Sequence, residues 1–321
     1  MNVEIKKTLI ISGSIAVLFF FVSSLNAYVL QGRHVLDLMI EKLGPAESLF
    51  VSEKIVVYRM DVAPGEQDAA TGNYTSILEN TAGDAAPVTQ EVVTYPEAPQ
   101  PETLELEGTL RYVFSRAFRS DAISPNSERI HLSIDGRTLT IIDNNIVPDA
   151  VNRFDFFKDI LLYRSREALA ERLLQLGVDP FVSSLGRFED KIAFVIGAKY
   201  PAETGNQLWV DKDTLLPLRL IIRDVYGADN SGKVEIRYLI WWKIGETQYP
   251  SKIEFYQDDN LVRVSQAKSF EENAMFSEDI FDIEHLKVVY PRAPLQPIPP
   301  EATEEPSEVQ KTIEDFKRIF E

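Results

Sequence analysis

The chain has 321 residues, 45% of them hydrophobic, a formal net charge of −17 and no cysteine. The apolar content supports a real core, while the acidity leaves no basic surplus to neutralise a phosphate backbone, which excludes nucleic acid as a partner. Without cysteine there is no disulfide, thiolate metal site, thiol nucleophile or acylated lipoprotein cysteine.

At the N-terminus Lys6 and Lys7 precede an apolar run from Thr8 to Leu25, which ends in Leu25-Asn26-Ala27. This is the layout of a secretory signal peptide over residues 1–27, cut after Ala27. An uncleaved anchor is the alternative, since the run is nearly long enough to span a bilayer. On either reading the chain from residue 28 lies outside the cytoplasm, and its acidity and lack of cysteine suit a bacterial periplasm. Val35, Leu36, Met39, Ile40 and Leu43 then share one helical face over His34–Leu43, and Gly44-Pro45 stops the helix. Ile55–Val62 reads as a strand. Residues 63–103, rich in Ala, Pro, Gly, Thr and acids without periodicity, read as a flexible insertion.

Leu104–Phe118 reads as one strand. Period-two alternation puts Leu110, Tyr112, Phe114 and Phe118 on one face, with Arg116 in the same row. A buried unpaired charge is costly, so Arg116 there calls for an acidic partner, a wet cavity or a ligand. Asp135-Gly136 marks a hairpin between Arg129–Asp135 and Arg137–Asp143. On its first strand His131 lies opposite Ile130, Leu132 and Ile134, which implies a solvated imidazole. Phe154–Gly177 breaks the β pattern: Ser165 is a candidate N-cap, Leu169, Leu173 and Leu176 form a stripe, and Gly177 closes it. Residues 191–270 alternate strand patterns with turn chemistry, as a meander of antiparallel strands would. In KVEIRYLIWWKI one face is Val234, Ile236, Tyr238, Ile240 and Trp242. Residues 291–321 carry six prolines between 291 and 306, a spacer, and then a capping-box helix with Val309, Ile313, Phe316 and Phe320 on one stripe.

Catalytic patterns are missing. His34, His131 and His285 are far apart, no G-x-S-x-G or phosphate-cradling glycine loop occurs, and Asp211-Lys-Asp213-Thr reads as a turn rather than a cation site. The chain is therefore read as a non-enzyme with no cofactor and no metal.

The order of these segments resembles the periplasmic outer-membrane lipoprotein carriers, the LolA/LolB-like group. The resemblance rests on the N-terminal amphipathic helix, Glu107-Gly108-Thr-Leu110 leading to Arg116-Ala-Phe118-Arg119, and Ser133-Ile-Asp135-Gly136-Arg137-Thr138-Leu139. It continues through Gln207-Leu-Trp-Val-Asp-Lys-Asp213 into Leu216-Pro217-Leu-Arg219-Leu220, and Tyr249-Pro250 before Ile253. It covers residues 28–290 apart from the insertion. It implies an α+β fold, a curved antiparallel sheet forming an incomplete β-barrel closed by helices, with an apolar cavity for acyl chains between sheet and helices. In this family an Arg holds the helical lid. Arg116 is the best match, although the family pattern is often Arg-Pro and this chain has Arg-Ala.

Together these readings imply a periplasmic carrier that binds lipid acyl chains or acylated lipoproteins, transporting and chaperoning them through the cell envelope. Leu110, Tyr112, Phe114, Arg116, Phe118, Ile236, Tyr238, Ile240 and Trp242 would line the cavity, and inner- and outer-membrane proteins would be its partners. The alternative is an envelope-stress regulatory or scaffold protein of the same fold that binds a protein partner.

Overall fold

The computed structural model describes residues 29–58, 103–147, 152–223 and 232–291. The signal segment, the insertion apart from Thr103, and the tail beyond Pro291 lie outside the described residues.

Thirteen strands form one antiparallel sheet. The first half runs β1 (Ser48–Tyr58), β2 (Thr103–Val113), β3 (Ala117–Ile123), β4 (Glu128–Ile134), β5 (Arg137–Ile142) and β6 (Asn145–Val147). The second runs β7 (Ser183–Phe188), β8 (Lys191–Ile196), β9 (Gln207–Asp211), β10 (Pro217–Ile222), β11 (Val234–Ile244), β12 (Thr247–Gln257) and β13 (Asn260–Glu272). Each half is a meander, and the pairing of β1 with β13 joins them. The edges β6 and β7 do not pair with each other, so the sheet stays open.

The sheet is strongly curved. Tyr112 on β2 and Tyr249 on β12 are three strand steps apart, about 14 Å on a flat sheet. Their ring centroids nevertheless lie 6.1 Å apart. The concave face is covered by α1 (Gly32–Leu43), a 3-10 turn (Arg153–Phe156), α2 (Phe157–Leu162) and α3 (Arg166–Gln175). This is the incomplete barrel closed by helices that the resemblance implies.

The helices form where their capping groups and apolar spacing require. Val35, Leu36, Met39 and Leu43 bury one face of α1, which ends at Gly44 with φ of 97°. A Cβ there would meet the backbone of Glu246 and Thr247, so glycine is needed both for the turn and for the close approach. Ser165 caps α3 by accepting from the Ala168 amide, and Leu169, Leu173 and Leu176 enter the core. The hairpin at Asp135-Gly136 forms as expected, with φ of 47° and 77°.

Three expectations need correction. Leu104–Phe118 is two strands, not one: the chain turns at Phe114-Ser115-Arg116, with Ser115 at φ 61°. The strand expected at Ile55–Val62 begins earlier, at Ser48. His131 is buried rather than solvated. The reason is that both faces of β3–β6 are covered. Ile130, Leu132, Leu139 and Ile141 pack on the outer face against Phe281, Ile283 and Leu286, from a 3-10 turn (Glu278–Phe281) and helix α4 (Ile283–Val289). The polar alternates therefore point into the concave side.

Candidate functional site

The concave face and its lid carry the largest apolar cluster among the described residues. Leu110 and Tyr112 of β2 reach it, as does Phe118, which stands opposite Tyr112 across the β2–β3 hairpin with ring centroids 4.8 Å apart. Val234, Ile236 and Tyr238 of β11 reach it from the other side. Phe157 of α2 joins the halves, meeting Phe118 at 6.1 Å and Phe255 of β12 at 5.6 Å, both edge to face. Phe114 packs against the edge of the cluster.

The other expected residues lie elsewhere. Arg116 is exposed in the β2–β3 turn, beside a groove of about 640 Å³ that also touches Arg137, Asp135 and Glu278. It stands in no apolar row. Ile240 and Trp242 leave the interior face. Ile240 takes φ 51°, which breaks the alternation of β11, and is 65% exposed. Beyond it Trp241 turns toward the core, while Trp242 is 38% exposed and stacks on Phe270 at 6.4 Å.

Four hydrogen bonds tie the lid to the sheet beside its charged contacts. The Ser115 amide donates to the Leu162 carbonyl at 2.8 Å, and the Arg164 amide donates to Ser115 Oγ at 3.0 Å. Tyr238 donates from its hydroxyl to the Phe157 carbonyl at 3.0 Å, and Arg153 donates to the Gly232 carbonyl at 2.8 Å. The Arg164 guanidinium lies 4.1 Å from the Phe114 ring centroid. Its Nε and Nη1 are buried without a hydrogen-bond partner, and burial pushes its pKa down to about 10. The cation at the lid hinge is thus Arg164. No sequence signal marks it, because it sits in a loop just before the Ser165 cap.

A belt of buried charge crosses the concave side. Glu53 stands between Val51 and Ile55 in the buried row of β1, with Arg263 at 3.9 Å. Burial pushes its carboxyl up to about 7, against the opposing pull of Arg263 and Ser265. Arg129 pairs with Asp155 at 2.6 Å, and His131 Nδ1 lies 3.6 Å from the same carboxylate. Lys158 and Arg172 hold Asp159 at 3.3 and 2.7 Å. Burial lowers His131 to about 3, and Arg129 and Lys158 add to that against Asp155. For Asp155 burial acts upward, but Arg129, His131 and Lys158 outweigh it and hold the carboxyl well below its usual range. Such pairs are weak stabilisers as pairs, yet removing one partner strands a buried charge at a cost of about 3–5 kcal/mol. Asp211 accepts from the Asp213 and Thr214 amides, which is turn chemistry as expected.

The arrangement defines a class: an open half-barrel whose apolar concave face is shut by a helical lid. No family model and no curated protein matches the sequence. Among solved structures the chain is similar to a domain assigned to outer membrane lipoprotein sorting from Vibrio parahaemolyticus, at 9% identity and a TM-score of 0.44, over 80% of this chain and 98% of that one. It is also similar to a LolA superfamily protein from Nitrosomonas europaea, at 9% identity and a TM-score of 0.44, over 80% and 100%. A DUF1329 family protein from Desulfovibrio piger aligns at 11% identity and a TM-score of 0.47, over 79% and 97%. At these identities the likeness is one of fold.

Proposed function

We propose that the protein is a non-enzymatic periplasmic carrier that holds acyl chains of a lipid or lipoprotein between the concave face and the lid. Membrane proteins at either side of the periplasm would deliver and receive the cargo. The supporting observation is the lid itself, an apolar layer fastened by a handful of hydrogen bonds and by the buried Arg129–Asp155 pair. Each such bond contributes about 1 kcal/mol net. Displacing Phe154, Phe157, Ile160 and Leu161 costs about 1.5–3 kcal/mol per side chain. Burying a dozen methylenes of cargo returns about 10 kcal/mol at 0.8 each. Leu110, Tyr112, Phe114, Phe118, Ile236 and Tyr238 would meet the chain, and Arg164 would take the lid role expected of Arg116, its free N–H groups turning to the polar end of the cargo.

The test is a reversible lock. Because the chain has no cysteine, Ser115→Cys with Arg164→Cys introduces the sole pair across the hinge. The oxidised variant is expected to take up a fluorescent fatty acid at least tenfold less well than its own reduced form. Equal uptake in the locked and unlocked states, or none by the parent chain, would overturn the carrier reading.

A further inference from the structure

The polar side of the lid encloses a second feature. A cavity of about 230 Å³ lies between β4, the Asp135-Gly136 hairpin and helices α2 and α3. It is many times the roughly 15 Å³ that one water needs. Its charged lining is Asp155, Asp159, Lys158 and Arg172, formally neutral, with both carboxylates already paired. A free anion would meet two carboxylates there, and a free cation would meet two cations.

Two polar atoms in the lining have no partner within the protein. His131 Nε2 and Asn152 Nδ2 are unpaired, on side chains that are themselves buried. Buried polar atoms left unpaired cost about 1–3 kcal/mol each. Their chemistry is complementary. His131 Nδ1 lies 3.1 Å from Thr140 Oγ1 and 3.6 Å from the Asp155 carboxylate, which favours the proton on Nδ1. Nε2 is then an acceptor, while the Asn152 amide is a donor whose own oxygen is committed to the Phe154 amide at 2.8 Å. A hydroxyl can satisfy either, donating to the ring nitrogen or accepting from the amide. Ser133 and Thr138 add further hydroxyls to the wall.

We propose that this cavity binds a neutral, hydroxyl-rich group of the monosaccharide or polyol class, through His131 Nε2 and Asn152 Nδ2. The site lies beside the apolar cluster and is walled by the closed lid, so it is tested on the chain without acyl ligand, where its failure is distinct from failure of acyl binding. The group could be a free sugar or the headgroup of a glycosylated lipid; the chemistry is shared. The test titrates the full chain with D-glucose, myo-inositol, hexyl glucoside and inorganic phosphate, following the ¹⁵N resonances of the His131 ring. Saturable binding of a polyol with a shift at Nε2 is expected, weakened at least tenfold by Asn152→Asp, which keeps the capping oxygen but loses the donor. Binding of hexyl glucoside alone would assign the group to a lipid headgroup. The proposal is overturned if no polyol or hexyl glucoside saturates by about 10 mM, if Nε2 does not shift, or if phosphate binds in their place.

Discussion

Glu53 and His131 titrate over overlapping ranges and act in opposite directions. In the folded chain Glu53 keeps its proton up to about 7, whereas its ordinary value is 4.5. The folded state therefore binds more protons between those values, and stability falls as pH rises through them. His131 ordinarily protonates at 6.5 but in the fold only near 3. Here the unfolded state binds more protons, and stability falls as pH drops from 6.5 toward 3. Each slope approaches 1.4 kcal/mol per pH unit, so the two cancel between about 4.5 and 6.5. Below that window His131 acts alone, joined under about 3.8 by Asp155, whose carboxylate must then protonate. Urea midpoints are expected to plateau across the window and to collapse below it. In Glu53→Gln the plateau becomes a rise toward 6.5, because only the His131 slope survives. A plateau that persists in that variant would mean that neither Glu53 nor His131 titrates away from its ordinary range in the fold. The sequence held a sign of Glu53, a charge in an alternating apolar row between Val51 and Ile55. The same kind of alternation misled at His131, because a second layer covers the outer face of β4 and makes the polar side the inner one.

At the scale of elements, the turns show what was legible. Asp135-Gly136 announced its hairpin because both residues tolerate positive φ. The β2–β3 turn went unseen because Ser115, not glycine, takes the left-handed position between two aromatic segments. The same conformation at Ile240 is more costly, since a β-branched residue at positive φ is strained by about 1–2 kcal/mol. Its side chain is largely exposed and offsets little of that. Ile240→Asn, which tolerates this backbone, is expected to raise stability by about 1 kcal/mol, read as a higher urea midpoint at unchanged slope. A fall of the same size would show that the exposed isoleucine contributes packing that outweighs the strain. Strand β7 was missed for another reason: SSLGRF has no alternation to read. Gly186 is there because a Cβ would come within 2.9 Å of the Trp209 ring, a tertiary demand with no local signature. Helix α4 is short and was hidden for the same reason, since its role is to cover β3–β6 from far along the chain.

The whole molecule follows from where the chain crosses the opening of the sheet. Two meanders are joined by β1 and β13, which pair Ile55 with Ser265 across most of the sequence. Their far edges, β6 and β7, are linked by the segment that holds the 3-10 turn, α2 and α3. The lid and the connection between the two open edges are therefore one stretch of chain. Such a segment can lift without breaking any strand pair, but it must part the buried Arg129–Asp155 pair as well as the Ser115, Tyr238 and Arg153 hydrogen bonds and apolar contact. Opening of this kind is a local event, lower in free energy than global unfolding. Hydrogen exchange gives its signature. Without ligand, amides of residues 153–165 are expected to exchange faster than those of β1 and β13. On addition of palmitate the lid amides should change protection while the β1–β13 ladder stays as it was. A uniform response over lid and ladder would show that the molecule opens only by unfolding as a unit, and a lid that ignores palmitate would remove the exchange of lid side chains for acyl chain on which the carrier reading depends.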